Sequence, residues 1–278
     1  MKLLVSALAA LLLVSGAGVA VADSGPVYVA LGDSRAAGPT WTSVLSGDNC
    51  GRTPDAYPAK VAAELGVSYR SVACVGATTD DVLHGQRALA IRPVPPQVDA
   101  LSPDTALVTL SIGGNDIKWT NLIAPCFPLV GGDGKCRENS AMQKAIATQL
   151  GALPAEVDRV LTEVRRRSPH ARIVVVGHGG YYGTHGCAPD ANMSAADAPT
   201  VADFFARFNN VLRESADRAG AEYVDIAGPA RGHDVCAGAQ KWFLGDFPRG
   251  NTQTRHPTPL GSENMARLIV EKLRRPRS

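Results

Sequence analysis

Short apolar runs alternate with helical patterns along this chain, and that alternation most limits the folds it can adopt. Five runs rich in Val, Ile and Leu predict buried strands, and stretches with apolar residues at helical spacing separate them. Strands that alternate with helices favour a parallel sheet with right-handed crossovers. We therefore predict a three-layer α/β/α fold whose five-stranded parallel sheet has the order 2-1-3-4-5. The predicted strands are Val27–Leu31, Val67–Val72, Thr105–Ile112, Ile173–Val176 and Tyr223–Ile226.

The same spacing predicts the longer helices, near residues 54–65, 146–164, 205–219 and 265–273. Gly151 and Pro154 fall inside the second of these segments. We expect them to break or kink it, because proline lacks the amide hydrogen of an interior helical hydrogen bond. Long loops follow several strands, and the carboxyl ends of parallel strands share one edge of the sheet.

The N-terminal segment has the pattern of a secretory signal peptide. Lys2 precedes the apolar run Leu3–Val14, and small residues follow up to Ala20-Val21-Ala22. The run is shorter than the roughly 20 apolar residues that a membrane-spanning helix needs. We therefore predict cleavage after Ala22, with a signal peptide at residues 1–22 and one domain at residues 23–278. An uncleaved amphipathic anchor is the alternative.

The charge balance argues against several classes of partner. The chain has 28 Lys and Arg residues against 26 Asp and Glu, a net charge of +2 at pH 7, and both signs are mixed along the sequence. No strongly basic patch indicates a nucleic acid or a membrane surface. We therefore predict a secreted monomer with no nucleic-acid partner and no stable membrane insertion.

Six cysteines follow the predicted cleavage site, and an even number in an exported chain indicates disulfides. Six cysteines allow fifteen pairings. The metal-site alternative is weak, because the chain has no C-x-x-C motif and no zinc-finger spacing. The simplest arrangement is sequential, with the pairs Cys50–Cys74, Cys126–Cys136 and Cys187–Cys236.

The first predicted strand ends in Gly32-Asp33-Ser34, which puts Ser34 at the edge where open α/β sheets hold their ligands. Taken alone, a Ser in this position is more often a turn residue or a helix cap. Gly76 and Asn115 follow the second and third strands, and His256 lies on the loop before the last helix. Together these residues supply a nucleophile, a base and donors for an oxyanion, which acyl transfer needs.

Four motifs give the chain a specific resemblance. Gly32-Asp33-Ser34, Cys74-Val75-Gly76-Ala77-Thr78-Thr79, Gly113-Gly114-Asn115-Asp116 and His256-Pro257-Thr258 resemble, in order, the sequence blocks of the SGNH (GDSL-type) hydrolases. The motifs extend over most of the chain after the predicted cleavage site. The chain is most similar to the secreted actinobacterial lipase/esterase branch, whose sequential disulfides support the pairing above.

The resemblance implies a flavodoxin-like sheet and ester hydrolysis without a metal or a cofactor. It also implies that Ser34 is the nucleophile and His256 the base. The oxyanion hole would combine the N–H groups of Ser34 and Gly76 with the side chain of Asn115. Asp33 and Asp116 are expected to be structural, bonded to backbone N–H groups at helix starts.

Two positions depart from the family pattern. Arg35 follows Ser34 where the family name has Leu, and Gln253 stands three residues before His256 where the family usually has Asp. We predict that the backbone carbonyl of Gln253 accepts from Nδ1 of His256, with Asp246 as a less favoured acid. Arg255 and the following helix N-terminus are expected to lower the pKa of His256, so that activity rises from mildly acidic to alkaline pH.

We predict a secreted serine esterase or lipase acting on small-molecule or lipid esters. An acyltransferase to sugar or lipid hydroxyls and a non-catalytic cell-surface binding protein remain alternatives. His178 and His185 lack the spacing of a metal site and are interpreted as loop histidines. Aromatic residues on the predicted active edge can line the site or cap the core; these are Trp41, Trp119, Trp242, Tyr181 and Tyr182.

Overall fold

A computed structural model describes residues 27–45, 49–87, 93–130 and 132–276. The predicted signal peptide therefore lies outside the described residues. Within these ranges, no helix combines the length and apolar character that a membrane span requires.

A parallel sheet with the order 2-1-3-4-5 forms the centre of the described chain, which confirms the predicted topology. The two edge strands are shorter than predicted, because each pairs with its neighbour over three residues. Every residue of the first and third strands is buried, which requires cover on both faces of the sheet. The strands are β1 (Tyr28–Gly32), β2 (Tyr69–Ser71), β3 (Leu107–Ser111), β4 (Arg172–Val176) and β5 (Glu222–Val224).

Helices provide that cover in two packed pairs, α3 against α8 and α6 against α7. The described helices are α1 (Ser34–Ala37), α2 (Trp41–Leu45), α3 (Tyr57–Leu65), α4 (Thr79–His84), α5 (Trp119–Ile123), α6 (Ser140–Arg167), α7 (Ala198–Arg218) and α8 (Pro259–Arg274). The three-layer α/β/α arrangement is therefore confirmed.

Helix α6 corrects one prediction, because it runs without a break through Gly151 and Pro154. A proline inside a helix costs about 3 kcal/mol. The apolar stripe that includes Leu150, Leu153 and Val157 is buried on both sides of the proline and packs with α7. Burying such side chains stabilises by about 1.5–3 kcal/mol each, so the packing outweighs the local cost.

The end of β1 lies so close to β3 that only glycine fits there. A Cβ on Gly32 would lie 2.2 Å from the carbonyl oxygen of Ser111, and the residue has φ +133°. The buried side chain of Gln97 bonds both backbone groups of Gly32, accepting from its N–H at 2.7 Å and donating to its carbonyl at 2.9 Å. These contacts fix the point at which the chain leaves the sheet.

Three disulfides use all six cysteines, in the sequential pairing that was predicted. The cysteines themselves lie outside the strands, and each bond is expected to stabilise the fold by about 2–4 kcal/mol. The bonds are Cys50–Cys74, Cys126–Cys136 and Cys187–Cys236.

Two glycine substitutions test this description of the backbone. A Cβ on Gly151 would meet no atom within 4 Å, so Gly151→Ala should stabilise the protein by about 0.5–1 kcal/mol through helix propensity. Gly32→Ala should destabilise it by about 1–3 kcal/mol or more, because the methyl group meets the Ser111 carbonyl. Urea unfolding of both variants measures the two effects, and a loss of stability in Gly151→Ala would contradict a continuous α6.

Candidate active site

Ser34 begins α1 directly after β1, at the carboxyl edge of the sheet. The side chain of Asp33 caps this turn by accepting from the N–H of Arg35 at 2.9 Å. The N–H of Asp33 itself donates to the carbonyl of Ser111 at 2.8 Å. Among the described residues, neither the hydroxyl nor the N–H of Ser34 has a hydrogen-bond partner, so both can meet a ligand.

A pocket of about 300 Å³ opens at this edge and brings together residues that are distant in sequence. Ser34, Asn115 and His256 all line it. Its wall also contains aromatic residues, so some of the aromatic side chains on the active edge line the site. Trp41, Trp119 and Tyr181 line the pocket, whereas Tyr182 and Trp242 are not among its lining residues.

The candidate oxyanion donors lie on two neighbouring turns. Nδ2 of Asn115 donates to the carbonyl of Ala77 at 2.9 Å, which leaves its second hydrogen free. Gly76 precedes Ala77 at φ +77° and does not line the pocket. Within the part of the chain that the structure describes, no group accepts from the N–H of Gly76. The Ala77 contact therefore couples the Gly76 turn to Asn115.

Asp116 has the structural role that was expected. It accepts from the N–H of Thr79 at 2.8 Å and from the Thr79 hydroxyl at 2.5 Å, at the start of α4. Asp33 has the corresponding role at α1, and burial raises the pKa of its carboxyl to about 6, against the opposing charge of Arg35. Asp33 and Asp116 therefore stabilise the turns at the starts of α1 and α4, and neither bonds the imidazole of His256.

His256 has a different orienting partner from the one predicted. Its Nδ1 donates mainly to the carbonyl of Thr254 at 2.7 Å, with that of Gln253 as a weaker partner, so its Nε2 carries the free lone pair. The reason is local: Arg255 adopts a left-handed conformation with φ +59°, which turns the Thr254 carbonyl back towards the ring. Gln253 lines the pocket, and its carbonyl raises the pKa of His256 less than the Thr254 carbonyl does.

Asp246 does not serve as the acid of a triad. Its Oδ1 accepts from Nε of Arg255 at 2.5 Å. Asp246 therefore acts on the residue before His256 and helps to hold the left-handed turn that presents the Thr254 carbonyl.

The sequence interpretation missed the role of Arg35, which is 2% exposed and lies under the pocket. Its Nη1 donates to the carbonyl of Gly177 at 2.7 Å, and its Nε and Nη2 have no partner among the described residues. The pKa of His256 is lowered to about 4, mainly by burial, with the Thr254 carbonyl opposing the shift and the charge of Arg35 adding to it. The direction agrees with the prediction, but the cation responsible is Arg35 and not Arg255.

The protonation of His256 can be tested by NMR titration of the imidazole carbons. We expect a midpoint near pH 4, because burial and the Arg35 charge both disfavour the imidazolium. Arg35→Gln should move the midpoint upwards, and the His256→Gln spectrum assigns the signal. A midpoint near the ordinary value of 6.5 in the wild type would contradict this electrostatic description.

Comparisons with known proteins agree with this geometry. The model of the GDSL-like Lipase/Acylhydrolase family matches residues 30–263. Lipase 2 of Streptomyces coelicolor is 33% identical over 259 residues, which cover 88% of this chain and 85% of the relative.

Two solved structures are also similar. Phospholipase A1 from Streptomyces albidoflavus NA297 has a TM-score of 0.70 and 29% identity, covering 89% of this chain and 98% of its own. The extracellular lipase from Streptomyces rimosus has a TM-score of 0.70 and 27% identity, covering 88% and 98%. The predicted resemblance is thus confirmed, and the chain belongs to the GDSL-like lipase/acylhydrolase family of carboxylic ester hydrolases.

Proposed function

We propose that this protein is a secreted serine esterase or lipase that forms an acyl-enzyme on Ser34 and uses His256 as the base. The observation that carries the proposal is the convergence of Ser34, Asn115 and His256 on one pocket. The free lone pair on Nε2 of His256 supports the role of base. The free N–H of Ser34 supports a role in the oxyanion hole.

In the acylation step, the hydroxyl oxygen of Ser34 attacks the ester carbonyl while Nε2 of His256 takes its proton. The carbonyl oxygen becomes an oxyanion, which receives hydrogen bonds from the N–H groups of Ser34 and Gly76 and from Nδ2 of Asn115. The tetrahedral intermediate then collapses, and His256 returns the proton to the departing alcohol. In deacylation a water molecule repeats the sequence and releases the acid.

The base works without a carboxylate partner. The Thr254 carbonyl fixes the tautomer of His256 but supplies a dipole in place of a full negative charge. With a pKa of about 4, His256 is neutral over most of the pH range in which proteins work. The rate constant kcat/KM is therefore expected to reach half of its maximum near pH 4, below the mildly acidic rise that the sequence suggested.

Secretion is supported by the three disulfides, because such bonds persist in oxidising compartments. The N-terminal pattern with its small residues before Asp23 supports export and cleavage after Ala22. The S. rimosus relative is named an extracellular lipase.

A lipid substrate is supported by exposed apolar side chains on loops of the active edge. Leu129 and Val130 are 100% and 90% exposed, in the disulfide-closed loop that follows α5. Trp41 is exposed and lines the pocket. Its backbone N–H donates to the carbonyl of Asn251, in the loop that carries the exposed Phe247. We propose that these side chains contact a lipid surface that delivers the ester.

Ser34→Ala should abolish ester hydrolysis, with a loss of at least about 1,000-fold, because the nucleophile is removed. A fluorophosphonate probe should label the wild type and not the variant. Hydrolysis of 4-nitrophenyl acetate and labelling on a gel measure both effects. No labelling and no hydrolysis by the wild type would favour the non-catalytic binding protein. Equal labelling of the two proteins would place the reactive nucleophile at a residue other than Ser34.

The double substitution Leu129→Ser and Val130→Ser should slow hydrolysis of phosphatidylcholine vesicles at least about tenfold, because two apolar side chains no longer enter the lipid. Hydrolysis of soluble 4-nitrophenyl acetate should not change. Tyr69→Ser is the matched control, since Tyr69 is exposed on β2, outside the active-edge loops. Unchanged vesicle hydrolysis would contradict the lipid-surface proposal.

Acyl transfer to an alcohol remains the competing reaction at the same serine. Adding a sugar or glycerol to the ester assay distinguishes the two, because a transferase forms the new ester in preference to the free acid. We expect mainly the free acid.

A further inference from the structure

His178 is held more firmly than a loop histidine needs to be. It follows β4, which lies beside β3 in the sheet, and it is 2% exposed. The buried side chain of Asn209 on α7 bonds both of its backbone groups, accepting from the N–H and donating to the carbonyl, each at 2.7 Å. Arg35 fixes the preceding residue through the Gly177 carbonyl. The backbone of His178 is thus constrained from two sides.

Its tautomer is also fixed. The N–H of Gly179 donates to Nδ1 of His178 at 2.9 Å, so Nδ1 has no hydrogen and Nε2 carries it. Burial among aromatic rings lowers the pKa of His178 well below its ordinary value, and the charge of Arg35, with that of His256 when it is protonated, acts in the same direction. The ring is therefore a neutral donor through Nε2.

His178 lies at the pocket beside the turn that carries Asn115. A Cβ on Gly114 would lie 2.9 Å from Nε2, so this nitrogen lies against the residue that precedes Asn115. His178 lines the pocket with Ser34 and Asn115. In the described ranges of the chain, no group accepts from Nε2–H. A donor that lines the pocket without a protein partner can donate to an acceptor on a bound ligand.

We propose that Nε2–H of His178 donates a hydrogen bond to the carbonyl oxygen of the bound ester, beside Asn115, as that oxygen becomes negative. The inference rests on the proposed function, because it assumes that esters react at Ser34. A neutral imidazole suits this task, since it strengthens the bond to an oxyanion without giving up a proton. His178 then adds a fourth donor, from β4, to those that the family resemblance implies.

The test uses two variants of matched size. His178→Phe keeps a ring among the aromatic side chains but removes the donor, and His178→Gln keeps an N–H near the position of Nε2. We expect kcat to fall at least about tenfold in His178→Phe with little change in KM, and much less in His178→Gln. The affinity for phenylboronic acid, which forms a tetrahedral adduct with a reactive serine, should fall in parallel. His170→Phe, at an exposed histidine, is the control.

Wild-type protein provides a measurement that does not depend on folding of the variants. The Nε2-bound proton of His178 should move downfield in the NMR spectrum when phenylboronic acid is added. Equal losses in the Phe and Gln variants, unchanged kcat in His178→Phe, or an unmoved proton signal would overturn the inference. If the wild type hydrolyses esters in those cases, the proposed function stands and only the assignment of His178 fails. A wild type without esterase activity or boronate binding would overturn both.

Discussion

The close approach of β1 and β3 at Gly32 and Ser111 is the constraint on which the site depends. No side chain separates the two backbones there, and the N–H of Asp33 donates to the Ser111 carbonyl at 2.8 Å. Both strands end at this contact, so Ser34 and Asn115 leave the sheet on neighbouring turns. The spacing between the proposed nucleophile and the proposed amide donor is therefore set by backbone packing, which is stiffer than a contact between two side chains.

The order of elements and the sheet topology followed from the sequence because they depend on patterns repeated over many residues. The disulfide pairs followed from the simplest sequential arrangement and from the family resemblance. The continuity of α6 through Pro154 did not, since the burial of Leu150 and Val157 that maintains it is a tertiary effect. Within the site, the motifs predicted which segments meet. They could not show that the left-handed turn at Arg255 selects the carbonyl of Thr254 over that of Gln253.

Arg35 shows a second limit of sequence patterns. Its position after Ser34 is visible in the sequence, but its burial and its bond to Gly177 depend on where β4 ends in space. A buried guanidinium beside Asp33 is partly neutralised by that carboxylate. Burial is the main cause of the lowered pKa of both His178 and His256, and the remaining field of Arg35 acts in the same direction. The buried cation Arg35, and the lack of a carboxylate beside His256 in the described part of the chain, therefore favour neutral imidazoles in this pocket.

The two histidines of the pocket then differ through their backbone partners alone. His256 donates from Nδ1 to a carbonyl, so its Nε2 presents a lone pair. His178 accepts at Nδ1 from an N–H, so its Nε2 presents a hydrogen. Both rings are neutral, yet one can take a proton and the other can only donate a hydrogen bond. A carboxylate beside either ring would raise its pKa and weaken this division. The absence of an acid at position 253 is thus consistent with the chemistry that the rest of the pocket supports.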